Sequence, residues 1–373
     1  MRSPSLWAIT RIAPTVFKLT GRKHNLNTNF PRHILISRTD KIGDLLLSLP
    51  VFQTLKESYP GTRLTALVSP YAQEIVQGHP AIDSVELFEQ EESDLQLAKR
   101  LKDLKVDVFI ALYPRPKLAL AAWLAGIPVR IGTAYRWYSF LFNQKVSIHR
   151  SQCDRHEVEY NLDMVRPLGI EPGNLKIDFP LTDNEREYVR DLLTEKGIRP
   201  GSPYVVVHPG HKGSALNWNP ILYGQIVAHL AGQEKVKVII TAGPDETPLI
   251  SKVTTHHGSL PPEQKPVLLI GECGLRHLAA VYAGAECFLS GSTGTMHLAA
   301  AVGTPTVSLF CPIPETTPVR WGPWGNKSTV LMPRALKCPD CLTGHCSKHD
   351  PMDAITVAEV FRAMEKYLPK KKK

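Results

Sequence analysis

The chain has 373 residues, 43% of them hydrophobic, and a formal net charge of +9. That length suggests two domains, each with its own core. No apolar run reaches the roughly 18 residues a membrane-spanning helix needs, which argues against an integral membrane protein. The basic balance favours anionic partners such as nucleotide-sugars, acidic lipid or nucleic acid.

Residues 1–30 form a basic leader with no acid before Asp40. Leu6, Trp7, Ile9, Ile12, Val16, Phe17 and Leu19 alternate with Arg2, Arg11, Lys18, Arg22 and Lys23. The apolar run is too interrupted for a signal-peptide core, and no A-x-A-like site follows it. Two readings stand: an interfacial helix on an anionic leaflet, kinked at Pro14, or a disordered leader.

Residues 31–181 then read as an α/β domain. Apolar runs at 34–37, 64–68 and 108–112 predict parallel strands, with helices over 46–57 and 95–104. Residues 182–203 read as a linker region, a charged helix over 182–196 followed by Arg199-Pro200-Gly201-Ser202-Pro203. The pattern restarts over 204–350, with strands expected at 204–208, 236–241, 267–270, 287–290 and 306–310. Residues 351–373 carry a last helix, about 357–367, and a lysine tail. Two doubly wound halves in sequence predict two Rossmann-like domains facing each other across a cleft.

The stretch from Ser290 to Phe310, SGSTGTMHLAAAVGTPTVSLF, is the most informative. A strand that breaks into Ser-Gly-Ser-Thr-Gly leaves backbone N–H groups free at a helix N-terminus, a site suited to phosphate. Thr293 and Thr295 add hydroxyls, and His297 falls in the first turn. A tight loop with no ligand is the competing reading.

This stretch resembles the D-[ST]-G-x-x-H-x-A-A-x-x-x-P-T loop of glycosyltransferase family nine, the bacterial heptosyltransferases. Ile34 to Pro50, ILISRTDKIGDLLLSLP, resembles the family's first strand, Gly-Asp loop and helix. Arg130-Ile131-Gly132, His156-Glu157-Val158-Glu159, His208-Pro209-Gly210 and Gly243-Pro244-Asp245-Glu246 follow in the family's order, so the resemblance runs from about Arg32 to about Tyr367. It implies the GT-B fold, with the donor bound mainly by the C-terminal half and the last helix crossing back to the first domain. It further implies an inverting transfer from a nucleotide-sugar, by default ADP-heptose, to a glycolipid acceptor of the lipid A-core type. The expected location is the cytoplasmic face of an inner membrane, as a peripheral protein. Nucleic acid is not expected as a partner, and no cofactor is required.

Asp44 follows Gly43 at the mouth of the first strand, where α/β sites lie. On residue type alone it reads as the N-cap of a helix beginning at Leu45. The resemblance makes it the catalytic base. Asp40, nearby, could orient Arg38 or Lys41. The donor's diphosphate is expected against Ser292, Thr293, Gly294, Thr295 and His297, and against His208, Gly210 and Lys212. Glu246 resembles the family carboxylate at the donor nucleoside, where it would accept from ribose hydroxyls. Its alternative role is that of a first-turn acid. Arg115, Lys117 and Arg136, set among Tyr113, Tyr135, Trp137 and Tyr138, are the acceptor-side candidates.

The sequence departs from the family in two places. Ala215-Leu216-Asn217-Trp218-Asn219-Pro220 lacks the family's phosphate-binding Lys, for which Lys212 or His211 could substitute. Ser292 stands where the family has Asp, which bears on the donor sugar. No D-x-D signature of a metal-dependent transferase is evident. Cys338, Cys341 and Cys346 have the ligand type and spacing of a structural zinc site, with a disulfide or free thiols as the alternatives. A non-catalytic nucleotide- or glycan-binding protein of the same fold is the rival class.

Overall fold

The computed structural model describes residues 31–370 apart from 174–175, 214, 234–235, 256, 258–259, 335–339 and 341–349. The leader and Cys338, Cys341 and Cys346 lie outside the described residues. Strands of Val, Ile and Leu without polar alternation must be covered on both faces, which favours parallel pairing with helices above and below. The six residues of β1 (His33–Arg38) are buried accordingly. With β2 (Arg63–Val68), β3 (Ser84–Leu87), β4 (Val108–Ala111), β5 (Val129–Thr133) and β6 (Gln144–Val146) it forms a sheet in the order β3-β2-β1-β4-β5-β6. The second sheet joins β7 (Tyr204–His208), β8 (Lys237–Ala242), β9 (Val267–Ile270), β10 (Cys287–Gly291), β11 (Thr306–Leu309) and β12 (Ser328–Leu331) in the order β12-β11-β10-β7-β8-β9. Read from its other edge this is the same winding, and every pair in both sheets is parallel.

Each sheet reverses its strand order once, between β1 and β4 and between β7 and β10. A crevice opens at such a switch point, at the carboxyl ends of the strands. Asp44 follows β1, and Thr293 follows β10. An apolar cluster passes from Leu45, Leu46 and Leu49 in the first domain to Met296, Leu298 and Ala299 in the second. Polar ties add to it. The Arg276 guanidinium holds Glu185 and donates to the Pro180 carbonyl at 2.7 Å, and its backbone N–H donates to Glu74 at 3.2 Å.

The structure departs from the expected elements at three places. Residues 46–57 do not form one helix: Ile42–Leu46 and Leu49–Ser58 are separate, with Pro50 in the first turn of the second. Proline tolerates that position and breaks a helix anywhere deeper. Strands β3, β5, β6 and β12 had no counterpart in the sequence reading. They are short, and most of their residues are only partly buried, so their apolar signal is weak.

The last helix, Val357–Glu365, does not cross back to the first domain. Its buried face of Val360, Ala363 and Met364 packs with Trp218, Val227 and Leu230 of the second domain. Trp218 Nε1 donates to the Ile355 carbonyl at 2.9 Å, and the Tyr367 hydroxyl meets Thr329 Oγ1 at 2.9 Å. The helix Pro220–Gly232 and strand β11 satisfy the last helix's apolar stripe within the second domain, which leaves nothing to pull it across. Trp218 is 1% exposed and joins that helix to the domain. Trp218→Ala should therefore destabilise the protein by about 3–5 kcal/mol. Denaturant unfolding followed by circular dichroism measures this, and an unchanged midpoint would show that the helix is held elsewhere.

Candidate active site

The charge at the end of β1 organises the site. Arg38 follows four residues that pack in the core, and its own side chain is 1% exposed. A guanidinium in that position needs every nitrogen partnered. Nε donates to Asp40 Oδ1 at 2.7 Å and Nη2 to Asp44 Oδ1 at 2.5 Å. Nη1 donates to Glu157 Oε1 at 3.2 Å and to Asn161 Oδ1 at 2.9 Å. Burial works against the charge, but Asp40, Asp44 and Glu157 outweigh it and hold Arg38 above the ordinary arginine range.

Glu157 opens the helix Glu157–Leu162, whose cap is His156. Its side chain has no exposed surface and lies against Arg38, Arg150 and Arg320. Burial alone would raise its pKa; the three guanidiniums overcome that and hold it below the usual range. Arg320 comes from the second domain, on the short helix Pro318–Trp321. Its Nε donates to Glu157 Oε2 at 3.0 Å and its Nη1 to the Arg150 carbonyl at 3.0 Å. Beside it, His156 Nε2 meets the Gly322 carbonyl at 3.0 Å, and the imidazole stacks on Trp324 at 4.2 Å. The His156-Glu157 motif is thus a seam between the domains.

Asp44 is the third residue of the helix Ile42–Leu46, and Lys41 occupies the cap position. Its carboxylate turns to Arg38 instead of capping backbone N–H groups, so the geometry does not support the N-cap reading. Asp44 and Asp40 line a cavity of about 330 Å³, whose far wall is Ser292, Thr293, Gly294 and His297. Burial raises the Asp40 carboxyl to about 7; the Asp44 charge adds to the rise, and Arg38 opposes it.

On that far wall Thr293 caps the helix Gly294–Ala301, accepting from the Met296 N–H at 3.4 Å. Its hydroxyl also pairs with Thr295 at 2.8 Å. Gly43 and Gly294 face each other where the two domains touch. A Cβ on Gly43 would lie 2.7 Å from the His297 ring, and one on Gly294 would lie 3.2 Å from the Gly43 nitrogen. Gly294 is therefore needed for the approach of the domains, a reason the sequence did not suggest. His297 is 5% exposed, and burial, with His156 adding to it, lowers its pKa to about 3. It is a neutral imidazole, and its Nδ1 has no hydrogen-bond partner among the described residues.

The remaining donor-side residues gather at the end of β7. His208 Nδ1 lies 2.9 Å from Thr241 Oγ1. Burial lowers the His208 pKa to about 4, with Glu246 opposing and Lys212 reinforcing. Gly210 gives way to the Glu246 carboxylate, which would collide with any Cβ there. Glu246 Oε2 accepts from the Gly243 N–H at 2.8 Å. Lys212 and Glu246 line a shallow depression with His211 and Asp245. The acceptor-side candidates do not line the cavity that holds Asp40 and Asp44. Arg115 braces Thr39, donating to its hydroxyl at 2.7 Å and its carbonyl at 2.9 Å. Lys117 donates to the carbonyls of Gln90 and Glu92, and Arg136 is exposed.

The sequence reading missed Glu157, Asn161, Arg150 and Arg320 as parts of this site. The available signal was Arg38 itself: a charge closing an apolar strand needs buried partners. Among the described residues no group of three His, Cys, Asp or Glu side chains could hold a metal.

Two Rossmann-like domains whose switch points meet at one polar cavity define a GT-B glycosyltransferase. The model of glycosyltransferase family 9 (heptosyltransferase) matches residues 95–350, and the chain belongs to that family. It is 29% identical over 304 residues to a putative glycosyltransferase of Haemophilus influenzae, covering 78% of this chain and 85% of that one. It is 28% identical over 346 residues to lipopolysaccharide heptosyltransferase 3 of Escherichia coli K12, covering 88% and 95%. The fold matches a family 9 glycosyl transferase of Veillonella parvula with a TM-score of 0.77 at 17% identity, over 90% of this chain and 97% of that one. It also matches the E. coli ADP-heptose lps heptosyltransferase II with a TM-score of 0.75 at 20% identity, over 90% and 98%.

Glu157→Ala would leave three guanidiniums around an empty site and should cost about 3–5 kcal/mol. The depressed pKa of Glu157 gives the sign of the pH effect. Its contribution is complete above the ordinary value of 4.5 and is lost as pH falls through the lower folded value. Melting curves should show the parent losing stability below about pH 4.5, with Glu157→Ala already destabilised at neutral pH. Equal melting temperatures at neutral pH would remove Glu157 from its central role.

Proposed function

We propose that this glycosyltransferase moves a sugar, by default heptose from ADP-heptose, onto a hydroxyl of a lipopolysaccharide-core or related glycolipid, with inversion. The observation that carries the reading is the single cavity shared by Asp44 and the Thr293–His297 loop. In one displacement, Asp44 takes the proton of the acceptor hydroxyl and the oxygen attacks the anomeric carbon from the face opposite the diphosphate. The bond from carbon to the diphosphate oxygen breaks, and negative charge collects on the leaving group. In this reading the N–H groups opening the helix Gly294–Ala301 and the hydroxyls of Thr293 and Thr295 meet that charge, and Lys212, in the separate depression beside Glu246, meets the donor further out. His297, held neutral, offers a hydrogen bond and no charge. Arg38 keeps Asp44 oriented through the hydrogen bond from Nη2.

Asp44→Asn keeps the shape of the side chain and removes the base. Turnover with ADP-heptose and a lipid A-core acceptor, read as released ADP, should fall roughly 10²-fold or more, with ADP affinity nearly intact. Near-parent turnover would reject Asp44 as the base. Absence of nucleotide release from any sugar donor would favour the binding-protein reading.

A glycolipid acceptor places the protein at the cytoplasmic face of an inner membrane, bound peripherally. No described helix is long and apolar enough to cross one. The loop after β5 supports surface binding: Tyr135, Trp137 and Phe140 are exposed there, Trp137 by 75%, beside Arg136. Aromatic rings with a basic neighbour suit the headgroup region. Trp137→Ala should lower the fraction that sediments with anionic vesicles, and added salt should lower it further. Binding equal to the parent's would exclude this loop as the contact.

A further inference from the structure

Two carboxylates lie on Arg38 at the cavity wall. Asp40 occupies Nε and Asp44 occupies Nη2, so one guanidinium holds both carboxylates side by side. They are 13% and 16% exposed. The remaining nitrogen, Nη1, is held by Glu157 and Asn161, so the guanidinium cannot turn to favour one aspartate over the other. Like charges fixed this close do not ionise independently.

The other groups around Asp40 do not separate the pair. Lys41 is exposed to solvent. The Tyr71 hydroxyl donates to the Asp40 carbonyl and not to its carboxyl. Arg150 and Glu157 lie beyond Arg38, and they face each other. Arg115 is engaged by Thr39. Across the cavity stand neutral His297 and Glu315.

We propose that Asp40 and Asp44 act as one proton-accepting pair, in which Asp40 is a positioning residue that sets the basicity of Asp44 through a shared proton and the shared Arg38. The inference rests on the reading of Asp44 as base. With one proton on the pair, the proton resides on Asp40, whose burial raises its pKa to about 7 and favours its neutral form. Asp44 is then a weak base. When that proton leaves, the second negative charge makes Asp44 a stronger one. During transfer the acceptor O–H bond breaks and an O–H bond forms on the Asp44 oxygen not held by Arg38. Ionised Asp40 accepts a hydrogen bond from it, and the acceptor's electron pair forms the new glycosidic bond as the diphosphate departs.

The test uses full-length protein with carbon-13-labelled aspartate carboxyls, titrated by NMR across about pH 4 to 9. One carboxyl should titrate near pH 7 in the parent. It should disappear in Asp40→Asn, and it should move down by about one unit or more in Asp44→Asn, where the like charge is gone. If no aspartate of the parent titrates above about pH 5, the pair does not exist, whether or not either variant folds. If a carboxyl titrates near pH 7 but ignores both substitutions, the proposal is equally overturned. In the transfer assay with ADP-heptose, the acid limb of the pH profile should move about one unit acidward in Asp40→Asn. An unmoved limb would deny Asp40 its role. The two readings fail separately. Asp44→Asn that keeps its turnover beside an intact titration removes the base and leaves the pair. Asp44→Asn that loses turnover, with no carboxyl near pH 7, removes the pair and leaves the base.

Discussion

The carboxylate of Glu157, with three guanidiniums around it and no exposed surface, is the interaction on which the site depends. Burying one charge is costly; burying several is tolerable only if each is matched and hydrogen-bonded. Here Arg38, Arg150 and Arg320 stand against Glu157, Asp40 and Asp44, and the members come from both domains. Because Arg320 belongs to the second domain, the cluster is complete only when the domains meet. Because Arg38 holds Asp44, that same meeting orients the proposed base.

Close backbone approach makes this meeting geometrically possible. Gly43 and Gly294 sit where a methyl group on either would press on the opposite domain. The two helices they begin, Ile42–Leu46 and Gly294–Ala301, each leave a switch point of its sheet. Their contact closes one cavity with carboxylates on one wall and hydroxyls and the N-terminus of the helix Gly294–Ala301 on the other.

The candidate cations on the acceptor side show a different use of charge. Arg115 and Lys117 hold loops by their carbonyls, with Arg115 bracing the residue that precedes Asp40. Basic residues in strand-end loops thus serve the site's shape, and net charge read from the sequence overstated the number free to meet a ligand.

Much of the fold was legible in the chain. Runs such as Ile34–Ser37 and Tyr204–His208 have a composition that only a doubly covered parallel strand satisfies. The Ser-Thr-Gly break before Met296 marks a helix start with free amides, and the repeat of the pattern after residue 203 marks a second domain. Local rules determine such features, because a strand's burial and a helix's cap are written within a few residues. Strands β3, β5, β6 and β12 were not legible, since their register comes from a neighbour's hydrogen bonds more than from their own pattern. The place of the last helix was not legible either, because an apolar stripe says that a helix packs and not against what. The Glu157 cluster was decided by tertiary structure alone. Its members stand up to 282 positions apart, from Arg38 to Arg320, and no local pattern specifies which buried charges will share one site. The sequence by itself fixed the architecture and the types of chemical group present; the packing of one domain on the other decided which of those groups meet.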